Sequence, residues 1–269
     1  MAYCSPGSEG LLEEKGGCLD DHALRKLVKF YNKHYPNTAI QNPDKLSYKT
    51  LKRELEKRFE DGCDEVCVVD KLNADADPDI AKHLRPKMPS EWKREPRTWL
   101  TNFNIDVVMS QYEDKYPDFK FLDVYPSDFC SYNGLCDIPL DGRYYGMVIN
   151  LSDHRGSGSH WTALFVCTNS ELPCYGVYYY DSVGNPPPKE MKELMDKLKA
   201  KGGKKFKYVI NKKQHQFKNT ECGMFSMFYI IKWLYWVHKD PNTVHADIVN
   251  NKYISDDTIF QLRQIFFRS

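Results

Sequence analysis

Gln216-Phe217-Lys218-Asn219-Thr220-Glu221-Cys222-Gly223 runs straight into Met224-Phe225-Ser226-Met227-Phe228-Tyr229-Ile230-Ile231-Lys232-Trp233-Leu234-Tyr235-Trp236-Val237. A polar loop meets a segment that is apolar on nearly every face. That pattern predicts a helix buried all round, beginning at Cys222. A cysteine in the first turn of a helix lies among unpaired backbone N–H groups and in positive potential. Both favour thiolate over thiol, and a thiolate is a nucleophile. A small cysteine packed in a core helix would give the same local sequence.

The stretches upstream supply a sheet for that helix. Tyr144 to Leu151, Trp161 to Cys167 and Tyr175 to Tyr180 are short runs rich in aromatic and β-branched residues, which predicts strands. Asn185-Pro186-Pro187-Pro188 stops the third run, and Met191, Leu194, Met195 and Leu198 then mark an amphipathic helix. Phe206 to Ile210 is a further strand. Leu100, Phe103, Val107 and Val108 predict a buried helix before the strands, and Ile259, Leu262, Ile265 and Phe266 a final amphipathic one. The order helix, strands, helix, strand, buried helix is an α+β arrangement, not an alternating parallel sheet.

The N-terminal third reads differently. The first ~20 residues are Gly-rich and polar, the mark of a loose tail. Asp20-Asp21 caps a helix through Leu24, Leu27, Val28, Phe30 and Tyr31, and a second starts at Ser47 with Leu51, Leu55 and Phe59. The Asp- and Pro-rich segment Asn73 to Pro89 reads as a linker. It divides a helical N-terminal region, 1–90, from a second domain, 91–269.

Composition excludes several classes. The chain has 269 residues, 41% hydrophobic and 14% aromatic, which argues against disorder. With 38 basic and 37 acidic residues it has no general attraction for nucleic acid or membrane surfaces. The N-terminus lacks the basic start and apolar run of a secretory signal, and no stretch reaches the ~18 apolar residues of a membrane span. Nine cysteines at scattered spacings fit a reducing compartment better than a disulfide framework. Cys63 and Cys67 are candidate zinc ligands, but no second pair of suitable spacing lies nearby.

A thiolate that cleaves acyl bonds needs a base and a group that orients the base. His160 follows the flexible Arg155-Gly156-Ser157-Gly158-Ser159 at the start of one strand, and Asp181 follows the end of the next. Antiparallel pairing of those strands would bring His160 and Asp181 to one sheet edge. The carboxylate would then fix the imidazole tautomer and support the imidazolium. A lone histidine or aspartate at a strand end is ordinarily structural; the convergence of three such groups on one cleft favours catalysis. Gln216, with the Cys222 backbone N–H, could hold an oxyanion. His154 is a second-choice base, His215 reads as an exposed neighbour of Gln216, and Cys167 and Cys174 read as packing residues.

The order His160-Trp161, Asp181, Gln216-x5-Cys222-Gly223 resembles the ubiquitin-like-protein-specific and adenovirus-type cysteine proteases. Within that superfamily the chain is most similar to the polyprotein-processing proteases of large cytoplasmic DNA viruses, the African swine fever virus protease type. Leu100 to Asp106, Val148-Ile149-Asn150, Ser182 to Asn185 and Thr220 to Gly223 carry the resemblance, which is strong over 99–106 and 148–231 and faint before residue 90. It implies a papain-like, SUMO-protease-like core with a central mixed sheet packed on a buried helix, making 91–269 a cysteine protease domain.

The resemblance also implies an activity: cleavage of viral structural polyprotein precursors after Gly-Gly during virion maturation, in the host cytoplasm and the virion. No cofactor is implied. Trp161 and Trp99 correspond to walls of a narrow tunnel that passes glycine and excludes bulkier residues. Asn150 matches a position that assists the site by orienting substrate or the histidine loop. The African swine fever type carries Asn as the third triad member where this chain has Asp181. A SUMO-type deconjugating protease and a non-catalytic zinc-binding interaction module are the alternatives. The lysine-rich stretch Lys197 to Lys213 reads as a solvated face, or as a docking patch for DNA or an acidic precursor.

Overall fold

Five strands form one sheet in the order β1 (Phe119–Tyr125), β2 (Tyr144–Asn150), β3 (Trp161–Cys167), β4 (Gly176–Tyr180) and β5 (Lys207–Ile210). The two outer pairs are parallel, while β2, β3 and β4 are antiparallel, so the sheet is mixed. The structure, a computed structural model, describes residues 3–250 and 254–269, apart from the side chains at 241, 245 and 246.

Three central strands are buried along nearly their whole length, as expected of a sheet covered on both faces. On one face Met191, Leu194, Met195 and Leu198 of helix Lys189–Gly202 pack against Met147, Ile149, Leu164, Val166, Val177 and Tyr179. Helix Cys222–Trp236 covers the other face. Its Trp233 ring lies 5.3 Å from Phe165 and 4.1 Å from Tyr178, and Tyr229 stacks on Tyr180 at 4.5 Å. Large side chains buried this fully each contribute about 1.5–3 kcal/mol. Gly146 lets this helix sit close: a Cβ there would fall 2.9 Å from Ile230 Cγ2 and from the Phe119 ring.

Strand β1 is absent from the hydrophobic reading of the sequence. The reason is local: its register shifts between Phe121 and Val124, where Asp123 takes a φ of 124°, so the alternation is broken by a bulge. The helix read from Leu100 to Val108 is Asn102–Lys115, and it buries Ile105, Val108, Met109 and Tyr112 while Phe103 and Val107 are exposed. The final amphipathic helix is two pieces, Asp256–Gln261 and Arg263–Phe266.

The chain divides into two compact units, Met1–Lys87 with Ile265–Ser269, and Met88–Gln264. Within the first, Asp20 caps helix Asp21–His34 by accepting from Ala23 N–H at 2.7 Å, and Ser47 caps helix Tyr48–Glu56 through Thr50 N–H. Arg268 pairs with Asp70 and Asp75, which ties the C-terminus into this unit.

Several expectations for this region are corrected. Residues 73–89 are not a linker: Ala74, Ile80 and Leu84 are buried in the unit's core. The first twenty residues are not a loose tail, although Met1 and Ala2 lie outside the described residues. Helix Glu9–Lys15 forms there, and Cys4, Cys18 and Leu19 are buried. Three disulfides replace the expected free thiols: Cys4–Cys18, Cys63–Cys67 and Cys130–Cys136. The pairs are local, separated by 14, 4 and 6 residues, so they do not show as a framework spanning the chain. Cys63 and Cys67 bond to each other and leave no thiolate for zinc; among the described residues no group of three or more metal-ligating side chains is gathered.

Candidate active site

The antiparallel register of β3 and β4 sets Ala163 opposite Tyr180, so the residues just before β3 and just after β4 share one end of the sheet. There His160 Nε2–H donates to Asp181 Oδ1 at 2.7 Å. A carboxylate only accepts, so this contact fixes the proton on Nε2 and leaves Nδ1 as the ring atom available to the Cys222 thiol, which lies close enough to act on the His160 charge. Burial works against a charged His160, but the hydrogen bond to Asp181, the nearby Cys222 sulfur and the charges of both outweigh it and raise its pKa to about 9. The ring is thus held ready as imidazolium beside a sulfur.

Asp181 is fully buried and held from several sides. Its Oδ1 also accepts from Val183 N–H at 2.8 Å. Its own N–H donates to Asn211 Oδ1 at 2.7 Å, and Asn211 Nδ2 returns a bond to the Asp181 carbonyl at 2.8 Å. The chain then turns back through Gly184, whose N–H donates to the Asp181 carbonyl. Its φ is 83°, and a Cβ would lie 2.9 Å from the Lys212 carbonyl oxygen. Asp181 is therefore both a turn former and the partner of His160.

The loop before His160 is organised by Asn150. Its Oδ1 accepts from the N–H groups of Ser152 and Ser159, both at 2.9 Å, and Gly158, at φ 94°, passes close to its amide. This places Asn150 on the histidine loop as a holder of its shape.

Cys222 is the first residue of its helix. Glu221, which precedes it, makes no side-chain cap, so the first N–H groups, Cys222's among them, are left for another acceptor. Gln216 is buried nearby: Ser182 Oγ donates to its Oε1 at 2.6 Å, and its own N–H donates to the Ser182 carbonyl at 2.9 Å. With Oε1 so engaged, the amide nitrogen is the end that can donate to a substrate.

Gly223 has a steric reason. A Cβ at this position would stand 3.0 Å from Leu100 Cδ1 and 3.2 Å from Trp161 Cδ1. Trp161 is itself pinned, its Nε1–H donating to the Leu100 carbonyl at 3.1 Å. Trp161, Trp99 and Asn150 all line a cleft of about 500 Å³, along with Tyr125, Tyr132 and His154. Two of these lining residues escaped the sequence reading. Tyr132 stacks on His154 at 4.1 Å, and His154 Nδ1 is bonded to Asp128 Oδ2 at 2.6 Å, so this histidine faces the cleft and not the thiol.

The remaining candidates fall away on geometry. His215 is buried, not exposed; Tyr180 Oη and the Val249 carbonyl take its two nitrogens, at 2.7 and 2.6 Å. Burial pulls its pKa down. Cys167 and Cys174 are buried, and a hydrogen bond from Cys167, reinforced by burial, pushes the Cys174 thiol far up. Among the described residues no helix is long and apolar enough to cross a membrane.

Comparison with known proteins agrees with this chemistry. A family model described as the Ulp1 protease family, C-terminal catalytic domain, matches residues 147–263, which contain His160, Asp181 and Cys222. A chain of Acanthamoeba polyphaga mimivirus that bears the name of a thiol protease is 29% identical over 302 residues, covering 100% of this chain and 94% of its own. The cysteine protease of African swine fever virus is 28% identical over 263 residues, covering 85% of this chain and 93% of its own. A crystal structure of that virus's protease superposes with a TM-score of 0.65 at 21% identity, over 99% of this chain and 96% of the other.

Proposed function

From the homology of this chain to the Ulp1-type cysteine proteases, the African swine fever virus enzyme among them, we propose that it is an endopeptidase that cleaves viral structural polyprotein precursors after Gly-Gly. The observation that carries the reading is the Asp181–His160 hydrogen bond, with Cys222 near enough to raise the His160 pKa, set beside a cleft walled by Trp99 and Trp161.

In the proposed reaction His160 already holds the proton given up by Cys222, as imidazolium beside thiolate, and the thiolate attacks the glycine carbonyl. The Cys222 N–H and the Gln216 amide hold the oxyanion. His160 returns the proton to the leaving amine, and then activates a water that releases the acyl group from sulfur. Asp181 keeps the ring oriented and supports its charge throughout. Every proton is moved by a side chain of this protein.

Substrate choice follows from the walls. Trp161 is fixed at its indole N–H, so it does not swing away to admit a side chain. A substrate without Cβ atoms at the two residues before the cut passes; others meet the indole. Action in the host cytoplasm and in the virion follows from the same reading. Four of the eight lysines in Lys197–Lys213 bond back onto the protein, which narrows any patch for DNA or an acidic precursor to the remaining ones.

The test is mass spectrometry of a candidate capsid precursor incubated with wild-type protein and with Cys222→Ala. Cuts after Gly-Gly with the first and none with the second are expected. Release of SUMO from a conjugate with an uncut precursor would move the assignment to a deconjugating protease.

A further inference from the structure

Glu221 is an odd residue to find at the entrance of the nucleophile helix. Its carboxylate is fully buried, one residue before Cys222, where a negative charge is drawn to the helix N-terminus and could bond its free N–H groups. Those N–H groups are the ones an oxyanion needs. Yet Glu221 does not cap the helix. Its Oε2 accepts instead from Arg263 Nε at 3.1 Å, and Oε1 lies 3.6 Å from Arg97 and accepts from Thr220 Oγ1 at 3.0 Å.

Arg263 is built to hold that carboxylate. It is buried, its guanidinium lies 4.3 Å over the Trp92 ring, and its other arm donates to the Thr98 carbonyl at 2.8 Å. Thr98 leads directly into Trp99 and Leu100, the cleft wall against which Gly223 packs. One side chain thus links the wall to the residue before the nucleophile.

We propose that Arg263 is a positioning residue that draws the Glu221 carboxylate away from the helix N-terminus and so keeps the Cys222 N–H open for the oxyanion. The inference rests on the acyl-transfer reading above. Without Arg263, Glu221 keeps only the 3.6 Å contact with Arg97 and the bond from Thr220, both on Oε1, and its Oε2 can turn back to cap its own helix, occupying the donor that the tetrahedral intermediate uses. The loss falls on the transition state and not on substrate binding, so it is a loss of kcat.

The experiment compares wild type, Arg263→Met and the double variant Glu221→Gln/Arg263→Met on a peptide containing Gly-Gly. Active sites are counted by stoichiometric alkylation of Cys222, so misfolded protein is excluded from the rates. Loss of an oxyanion donor predicts that kcat per site in Arg263→Met falls on the order of 100-fold with KM nearly unchanged. Removing the carboxylate in the double variant restores at least about tenfold of that loss. An Arg263→Met enzyme with wild-type kcat per site, or a double variant no faster than the single one, overturns the proposal. So does failure of both variants to give alkylatable protein, because the pair then serves the fold and not the site. A wild-type enzyme that cuts no Gly-Gly peptide fails earlier, and marks the functional reading as the error.

Discussion

Replacing Asp181 with asparagine removes one charge and almost no volume from beside His160. In the wild-type protein that charge, together with the Cys222 contact, holds the His160 pKa at about 9 against a burial effect that lowers it from 6.5. The net difference corresponds to about 3 kcal/mol, and because burial opposes it Asp181 and Cys222 together supply at least that much. A raised histidine pKa is a stabilising linkage: its contribution is complete below pH 6.5 and is lost as pH rises through about 9. Asp181→Asn therefore draws the alkaline limb of kcat/KM down from near pH 9 by roughly one unit or more, which lowers kcat/KM about twofold at pH 8 and about tenfold near pH 10. It does not abolish activity, because an asparagine carbonyl can still accept from Nε2. The second carboxylate oxygen of Asp181 is buried with no hydrogen-bond partner, so an amide nitrogen placed there costs about 1–3 kcal/mol of stability. The assay is kcat/KM on a Gly-Gly peptide from pH 5.5 to 10, beside thermal melts. An alkaline limb unmoved within about 0.3 units would refute the electrostatic account of His160.

The other expectations are more direct. His160→Ala abolishes peptide cleavage and slows alkylation of Cys222 near neutral pH, while chelators leave wild-type cleavage intact; cleavage by the alanine variant would remove His160 as the base. Gly223→Ala forces a methyl group to 3.0 Å from Leu100 and 3.2 Å from Trp161. Overpacking of that kind costs about 1–3 kcal/mol, read as a lower melting temperature, and the displaced Trp161 appears as a raised KM for glycine substrates. In the first unit, burial raises the Glu65 pKa to about 7 despite the bond it accepts from Cys18 N–H. A carboxylic acid with a raised folded pKa loses stability as pH climbs from about 4.5 to 7, so Glu65→Gln should melt higher than wild type at pH 8 and equally at pH 4. Calorimetry that shows no pH-dependent difference would contradict this.

Much of the sheet-bearing unit is legible in the sequence because its elements are strongly patterned. The run Trp161 to Cys167 is β3 end to end, and the apolar segment from Cys222 begins its helix at that residue. The mixed sheet packed on a buried helix, and the relation to cysteine proteases, are both as the motifs implied. Pattern fails where a local feature interrupts it. Strand β1 is hidden by its bulge at Asp123, and the segment 73–89 reads as a linker because its turn-forming residues also open short helices, Asn73 the one that buries Ala74 and Asp77-Pro78 the one that buries Ile80. The disulfides were illegible because spacing alone does not say which sulfurs approach.

Hydrophobic period and turn residues act over a few neighbours, so the sequence by itself determined which segments are helix or strand and which residue types could carry a proton or a nucleophile. Distance between segments is a property of packing. Only the tertiary structure put the Asp181 carboxylate 2.7 Å from His160, buried His215 away from the cleft, and drew Glu221 onto Arg263, 42 residues further along the chain. Those contacts depend on how the sheet and two helices interlock, which no short window of residues contains.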